Sequence, residues 1–562
     1  MNYDSDQTQI IETGEPLNLV LAGAGSGKTA TLIGRVKYLL DSYSGIHSQE
    51  IVIITFTNQA ADEITRRLAT LFGQTHTSTT IKSQMLLGFC GTLHGFCLRL
   101  IREHGHIVGL DGRALSVLDA EAQEEMVKEV IKSTNYKGTR TDLDAEIKKG
   151  PLFDKMTRRM DKVQITAVAF YNAMRTAGVV DYDSILFYGL AIVKQLQTSP
   201  FKALFVDEFQ DSGNLDFQIY KALPIAQKFY VGDPDQAIYS FRGGKLQNIL
   251  DLAKNQSVNV RRLENNYRCD QTICDAANKL ILANQKRLQK RCISRTGNLG
   301  SVTIWRNIKS AVEEVSKIAD DITVHNCQND CAVLVRTNPL VRFVADQLQA
   351  KGLLVNRREL ANLPVDWKRA RALVSFLANP YSDRLAYNVV YAVSGPVIAE
   401  KNKHEAQIKM RSMNDLFFQI PFPLSLLELP LFLHKYQLGP DSTARIMAAY
   451  NVLPIGATPA DLDLALSREP MRETDGTGVV VSTMHSAKGR EWQAVYLAAF
   501  EQGLVPMERP DTDIEEERRL AYVAITRAKR RLVISFAAER NTPFDFTPKP
   551  ATPSQFIAEA GL

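Results

Sequence analysis

Lys28 and Thr29 close the run Ala22-Gly23-Ala24-Gly25-Ser26-Gly27-Lys28-Thr29, which follows directly on the apolar segment Leu17-Asn18-Leu19-Val20-Leu21. A strand that stops at a glycine-rich turn and restarts as a helix leaves backbone N–H groups unpaired at the helix's positive end. There they can surround the β- and γ-phosphates of a nucleoside triphosphate. The glycines let the main chain come close, Lys28 supplies a point charge to the phosphates and Thr29 a hydroxyl for Mg²⁺. Such loops arise by chance in unrelated chains. Here it stands between an apolar strand and the amphipathic stretch Thr31 to Leu40, the context that phosphate binding requires.

A second group of candidates lies at Phe205-Val206-Asp207-Glu208-Phe209-Gln210-Asp211, where a buried strand ends in adjacent carboxylates. Strand ends are where α/β sheets present ligand-binding groups. Asp207 suits Mg²⁺, directly or through water, and Glu208 suits polarisation of an attacking water. Two acids there can also simply cap a turn. At Val231-Gly232-Asp233-Pro234-Asp235-Gln236 another strand runs into a polar turn, with Tyr239, Phe241 and Arg242 close behind. Aromatic rings stack on bases without regard to sequence, which makes single-stranded nucleic acid a reasonable partner. Core packing of Tyr239 and Phe241 is the plainer alternative.

The elements that must position these groups alternate. Apolar strand candidates at 17–22, 51–55, 203–206 and 228–232, separated by helical stretches, predict a parallel sheet covered on both faces. Strands resume at 301–306, 331–336, 479–483, 494–499 and 531–536, a second sheet. Two long intervals, about 105–180 and 366–472, break the alternation and read as helical insertions.

Composition sets bounds. At 562 residues the chain is too long for one core. Its net charge of +5 permits a polyanionic partner without demanding one. Basic clusters at Lys286-Arg287, Lys290-Arg291, Arg357-Arg358 and Lys529-Arg530-Arg531 read as solvated faces. No stretch approaches the ~20 apolar residues of a membrane span and no signal peptide is evident, so a cytoplasmic protein is expected. The seven cysteines are scattered and read as buried free thiols.

The order of motifs resembles that of UvrD/Rep-type superfamily 1 (SF1A) DNA helicases. It runs from Gln7 and the glycine-rich loop through Thr55-Phe56-Thr57-Asn58-Gln59-Ala60-Ala61, Gly91-Thr92-Leu93-His94-Gly95-Phe96, Asp207 to Asp211 and Gly232 to Tyr239. Asn266-Tyr267-Arg268, Val481 to Trp492 and Glu517 to Ala528 complete it. The resemblance implies two RecA-like P-loop NTPase domains of α/β class with parallel sheets, each interrupted by a mainly helical insertion. The expected boundaries are 1–107 and 179–265 for the first domain around an insertion at 108–178, then 266–365 and 473–562 for the second around an insertion at 366–472.

It further implies that Gln7 reads the adenine edge, that Tyr267 stacks on the ring and that Glu491 meets the ribose. Ala22, Gly23, Ala24, Gly25, Ser26, Gly27, Lys28 and Thr29 would hold ATP, with Thr29 and Asp207 on Mg²⁺. Lys28, Asp207, Glu208, Gln236, Arg268 and Arg527 would form the catalytic set, and Phe56, Thr57, His94, Tyr239, Phe241 and His485 would line a single-stranded DNA track. Arg518, Arg519 and Arg527 fall on the helical stretch 515–530, and Arg518 and Arg519 are left as structural or DNA-proximal.

Departures from the family pattern matter. Ala30 stands where an arginine often flanks the adenine, Phe241 where a tryptophan is usual, and the second insertion is short. The expectation is therefore a 3′→5′ ATP-dependent helicase or translocase acting on single strands and junctions in replication, repair or recombination, monomeric in isolation. Alternatives are a DNA-stimulated ATPase that unwinds little alone, or a nucleotide-responsive partner of a separate nuclease in a repair or defence complex.

Overall fold

The computed structural model describes residues 3–42, 45–71, 87–112, 115–118, 120–151, 160–356, 477–510, 512–540 and 549–562, with isolated positions 374, 443, 446, 447 and 462. The expected second insertion, 366–472, thus lies outside the described residues except at those isolated positions.

Six parallel strands form the first sheet, in the order Phe89–Thr92, Ile51–Thr55, Ala203–Val206, Gln227–Gly232, Leu17–Ala22 and Asn259–Leu263. Side chains alternate between its two faces. Leu19, Leu21, Leu204 and Val206 join one buried cluster with Phe96 and Tyr230, while Val20, Ala203 and Phe205 join another with Ile33, Ile64 and Val231. The strands that the apolar pattern missed are the two outermost. Asn259–Leu263 reads Asn-Val-Arg-Arg-Leu because an edge strand has one neighbour and open solvent beyond it.

The second sheet follows the order Ser301–Ser310, Ala528–Arg540, Trp492–Leu497, Cys331–Val335, Val479–Thr483 and Val355–Asn356, again parallel, and Lys549–Pro550 adds an antiparallel partner to Ala528–Arg540. It too is packed on both sides, Ala332 and Leu334 facing one cluster and Cys331, Val333 and Val335 the other. Ala24 of the glycine-rich loop and Ile238 belong to this second sheet's buried cluster, so the two halves share packing.

Within the first half, between strands Phe89–Thr92 and Ala203–Val206, helices Ala120–Thr134, Arg140–Ile147 and Lys162–Thr176 enclose their own core around Leu143, Phe170 and Met174. The interval is not purely helical: Ser116–Val117 pairs in parallel with Val179–Val180 where the chain leaves and rejoins the first sheet domain. All seven cysteines are free, but they are less scattered than the sequence suggests. Cys274 and Cys292 lie 3.4 Å apart, sulfur to sulfur, close behind Asn266.

Candidate active site

The glycine-rich loop leaves strand Leu17–Ala22 and enters helix Lys28–Asp41 through Gly27, which sits in the left-handed region and offers no side-chain cap. Thr92, Asp161, Asp181 and Ser310 each cap the helix they precede with a side-chain oxygen. The N–H groups of the loop's helix lack such an oxygen, the arrangement an anion needs. At Gly25 the backbone is also left-handed, and a Cβ there would lie 2.7 Å from Cβ of Arg268 and 2.8 Å from Oδ1 of Asn266. Only glycine admits that approach.

Asn266, which stands out in the sequence only as part of a motif, ties the halves together. Its Nδ2 donates to the carbonyl of Ala24 at 2.7 Å, and its Oδ1 accepts from the backbone N–H of Arg268 and of Cys269. The N–H of Tyr267 donates to the carbonyl of Gly25. Tyr267 is thereby placed beside the loop, 47% exposed, with its hydroxyl on Asp4. Gln7, in the capping box of helix Ser5–Ile11, is buried and donates from Nε2 to the carbonyl of Ser26 at 3.1 Å.

The carboxylates emerge at the end of strand Ala203–Val206. Lys28 Nζ lies 3.4 Å from Oε2 of Glu208, which also accepts from Nε2 of Gln210 at 2.6 Å. Glu208 adopts a left-handed backbone with φ of 51°, a strained conformation for a residue with a side chain. Burial pushes its carboxyl up, but Lys28 and Lys488 outweigh this and hold it down to about 2. Asp207 is pushed up to about 6 by burial and by the charge of Glu208. The two therefore titrate as a pair, with Glu208 the first to lose its proton and Asp207 the second. Asp211 follows, paired with Lys488 at 2.5 Å, while its Oδ1 is buried without a partner.

Gln236 faces this group from the next strand's end. Its Nε2 donates to Oδ2 of Asp233 at 2.6 Å, leaving Oε1 toward Nη2 of Arg527 at 3.4 Å. Arg527 lies beyond helix Ile514–Ile525, in the turn before strand Ala528–Arg540, and not within a helix as the sequence pattern suggested. It is buried and also donates to the carbonyls of Val523 and Arg490. Arg268 donates to Glu491 and to the carbonyl of Thr526, and Lys529 pairs with Glu491 from the other side.

Away from the carboxylates, Phe56 stacks on Tyr239 with ring centres 4.9 Å apart. Tyr239 meets Phe241 edge-on, and Phe241 meets His485 edge-on at 5.7 Å. Phe241 is 66% exposed, so core packing does not account for it. Arg242 lies over both Tyr239 and Phe241, and Lys488 lies 5.0 Å over Tyr239. Burial, with Arg336, Arg242 and Lys488 nearby, lowers the His485 imidazole to about 4, so it is neutral at pH 7. Thr57, exposed, caps the N–H of Ala60, whereas His94 stands apart against Tyr182.

Several basic residues are contacts and not solvated faces. Arg287 and Lys290 are buried against Asp235 and Asp233, and Arg531 pairs with Asp321. Arg518 is held by Glu559 and Asn284, and Arg519 by Glu515, which makes both structural. The acidic turn Asp233-Pro234-Asp235 was the available signal, since buried carboxylates need counter-charges. Among the described residues no group of three His, Cys, Asp or Glu side chains can hold a metal ion by itself.

Comparisons agree with this geometry. Residues 3–257 match the UvrD/REP helicase N-terminal domain, and residues 261–362 and 460–539 match the UvrD-like helicase C-terminal domain. The chain is 27% identical to the ATP-dependent DNA helicase PcrA of Staphylococcus aureus over 99% of its own length and 86% of that protein. It is 29% identical to the PcrA of Leuconostoc citreum over 99% of its length and 84% of that protein. With both halves matched in order along the chain, the chain belongs to the UvrD/Rep-type SF1A helicase family.

Proposed function

We propose that this protein is an ATP-dependent DNA helicase that moves 3′→5′ along a single strand, driven by hydrolysis between its two RecA-like halves. The observation that carries this is the position of Lys488. From the second half it reaches Asp211 and the carbonyl of Gln236 and also overlies the ring of Tyr239. One side chain thus touches the turn that presents Gln236 to the cleft and an aromatic that begins the proposed DNA track.

In this scheme Lys28 exchanges Glu208 for the β- and γ-phosphates, and the released, ionised Glu208 orients the attacking water. Gln236 meets the γ-phosphate, and Arg268 and Arg527 neutralise charge that develops on the transferred group. Thr29 and Asp207 would hold Mg²⁺ together with phosphate oxygens, in keeping with a cation that takes few protein ligands; the ion would supply charge neutralisation at the β- and γ-oxygens. The unpaired Oδ1 of Asp211 is a further acceptor for a water in that shell. Tyr267 and Gln7 flank the adenine position and Glu491 the ribose. Phe56, Thr57, His94, Tyr239, Phe241 and His485 line the strand. The domain limits expected from the sequence are proposed unchanged, and replication, repair or recombination is the proposed setting.

The test is ATP hydrolysis with and without single-stranded DNA, and strand displacement on 3′-tailed and 5′-tailed duplexes, for the wild type and Glu208→Gln. DNA-stimulated hydrolysis, abolished by the substitution, and unwinding from 3′ tails are expected. Hydrolysis indifferent to DNA would remove the motor, and unwinding only from 5′ tails would reverse the polarity.

A further inference from the structure

The segment between helix Gln271–Leu282 and the short strand Ile293–Ser294 carries Arg287 and Lys290. It belongs to the second half, yet both side chains reach into the acidic turn of the first. Lys290 Nζ lies 2.6 Å from Oδ1 of Asp233 and 2.5 Å from Oδ2 of Asp235, and all three side chains are at most 2% exposed. Arg287 donates to Asp235 through Nε at 3.2 Å and Nη2 at 3.0 Å, and its Nη2 also reaches the carbonyl of Lys290. Four charges with compensating signs are therefore buried across the boundary between the halves, an arrangement that tolerates little displacement because an unpaired member would be left without water.

Asp233 is the connecting element. Its Oδ1 holds Lys290 and its Oδ2 holds Nε2 of Gln236. That second bond decides which end of the Gln236 amide faces Arg527. Nearby, Ile238 is buried in the second sheet's core, so packing grips the same turn a few residues on. Burial lowers the Lys290 ammonium, but Asp233 and Asp235 more than compensate and keep it charged.

We propose that Lys290 is a positioning residue for ATP hydrolysis: through Asp233 it sets the orientation of the Gln236 amide, with Arg287 fixing Asp235 as the second anchor of the turn. The turn then follows the second half, and the amide that meets the γ-phosphate moves with Arg527 and not with the carboxylates. This rests on the hydrolytic role of Gln236 proposed above.

A double-mutant cycle on steady-state ATP hydrolysis, at saturating single-stranded DNA, tests it with Lys290→Met, Gln236→Ala and the pair. Lys290→Met is expected to lower kcat by about tenfold or more while KM for ATP changes by less than about threefold, because the lost interaction acts on the reacting group. Lys290→Arg, which keeps the charge, is expected to recover most of kcat. In the pair the loss should be no greater than in Gln236→Ala alone, since both changes remove one function. Losses that multiply would overturn the relay, as would a kcat for Lys290→Met equal to the wild type. Should Lys290→Met fail to fold, Lys290→Gln, which keeps a donor, enters the same cycle with the same expectations. Full activity of Gln236→Ala would overturn the role of Gln236 and the relay with it, whereas a slow Gln236→Ala with multiplying losses would overturn the relay alone.

Discussion

Nη2 of Arg527 lies 3.4 Å from Oε1 of Gln236, a contact between the second half's arginine and the first half's amide. Burial, and the like charge of Arg268, lower the Arg527 guanidinium to about 10, so it remains charged at pH 7. The charge is already in place when a phosphate arrives, and no reorganisation is needed to deliver it.

Replacing Arg527 by lysine keeps a charge but loses the planar fork that serves Gln236, Val523 and Arg490 together. Single-turnover hydrolysis at saturating ATP should slow by about a thousandfold or more, the scale associated with arginines that neutralise a transferred phosphoryl group. A fall confined to ATP affinity would place Arg527 outside the chemistry.

Acid should act on the carboxylates with opposite signs. Asp207 has a folded value of about 6, above its ordinary 3.8, so its buried charge costs stability above pH 6 and the cost fades as pH falls toward 4. Glu208 is held down to about 2, so it stabilises the fold at neutral pH and that support is lost only as pH falls through the range below 4.5. Asp207→Asn should therefore raise Tm at pH 8, by up to about 3 kcal/mol of stability from a shift of roughly two pH units, and this gain should vanish near pH 4. Thermal melts of the nucleotide-free and magnesium-free protein from pH 4 to 8 check both signs.

Phe241 offers an exposed face and no charge. Phe241→Ala should weaken single-stranded DNA binding by about 1–3 kcal/mol, the value of one stacked base, and leave the salt dependence unchanged. Fluorescence anisotropy titrations at several salt concentrations separate this from loss of a phosphate contact, which would make the slope shallower.

Asn266→Ala removes the hydrogen bond that joins the carbonyl of Ala24 in the glycine-rich loop to the segment carrying Tyr267 and Arg268, and with it the two that fold that segment around the Asn266 amide. A loss of about 2–4 kcal/mol in stability and a raised KM for ATP are expected. Calorimetry and initial-rate measurements check this, and an unchanged KM would show that the loop keeps its shape without the asparagine.

Much of this is legible in the sequence alone. Strands such as Leu17–Ala22 and Ile51–Thr55 are buried on both faces and so appear as nearly continuous apolar runs, broken only by Asn18 in the first and ended by Thr55 in the second. The loop and the Asp207-Glu208 pair announce themselves because their chemistry admits few residue types. Asn259–Leu263 hid because an edge strand carries polar residues. Arg287 and Lys290 hid for another reason: local sequence shows a basic cluster, while the carboxylates that bury it stand more than fifty positions earlier. Arg527 was placed on a helix because the apolar pattern of 514–525 runs on into the strand that begins at Ala528.

The helices between Ala120 and Thr176 hang from a narrow stem. Ser116–Val117 and Val179–Val180 run side by side, with the N–H of Ser116 on the carbonyl of Gly178 and that of Leu118 on the carbonyl of Val180. Everything beyond this stem begins and ends at one point on the first domain, and closing a loop of any length there costs only slowly increasing entropy. The appendage is thus a graftable module: its size and surface can diverge, or be exchanged for another protein's, while the ATPase beneath keeps its geometry.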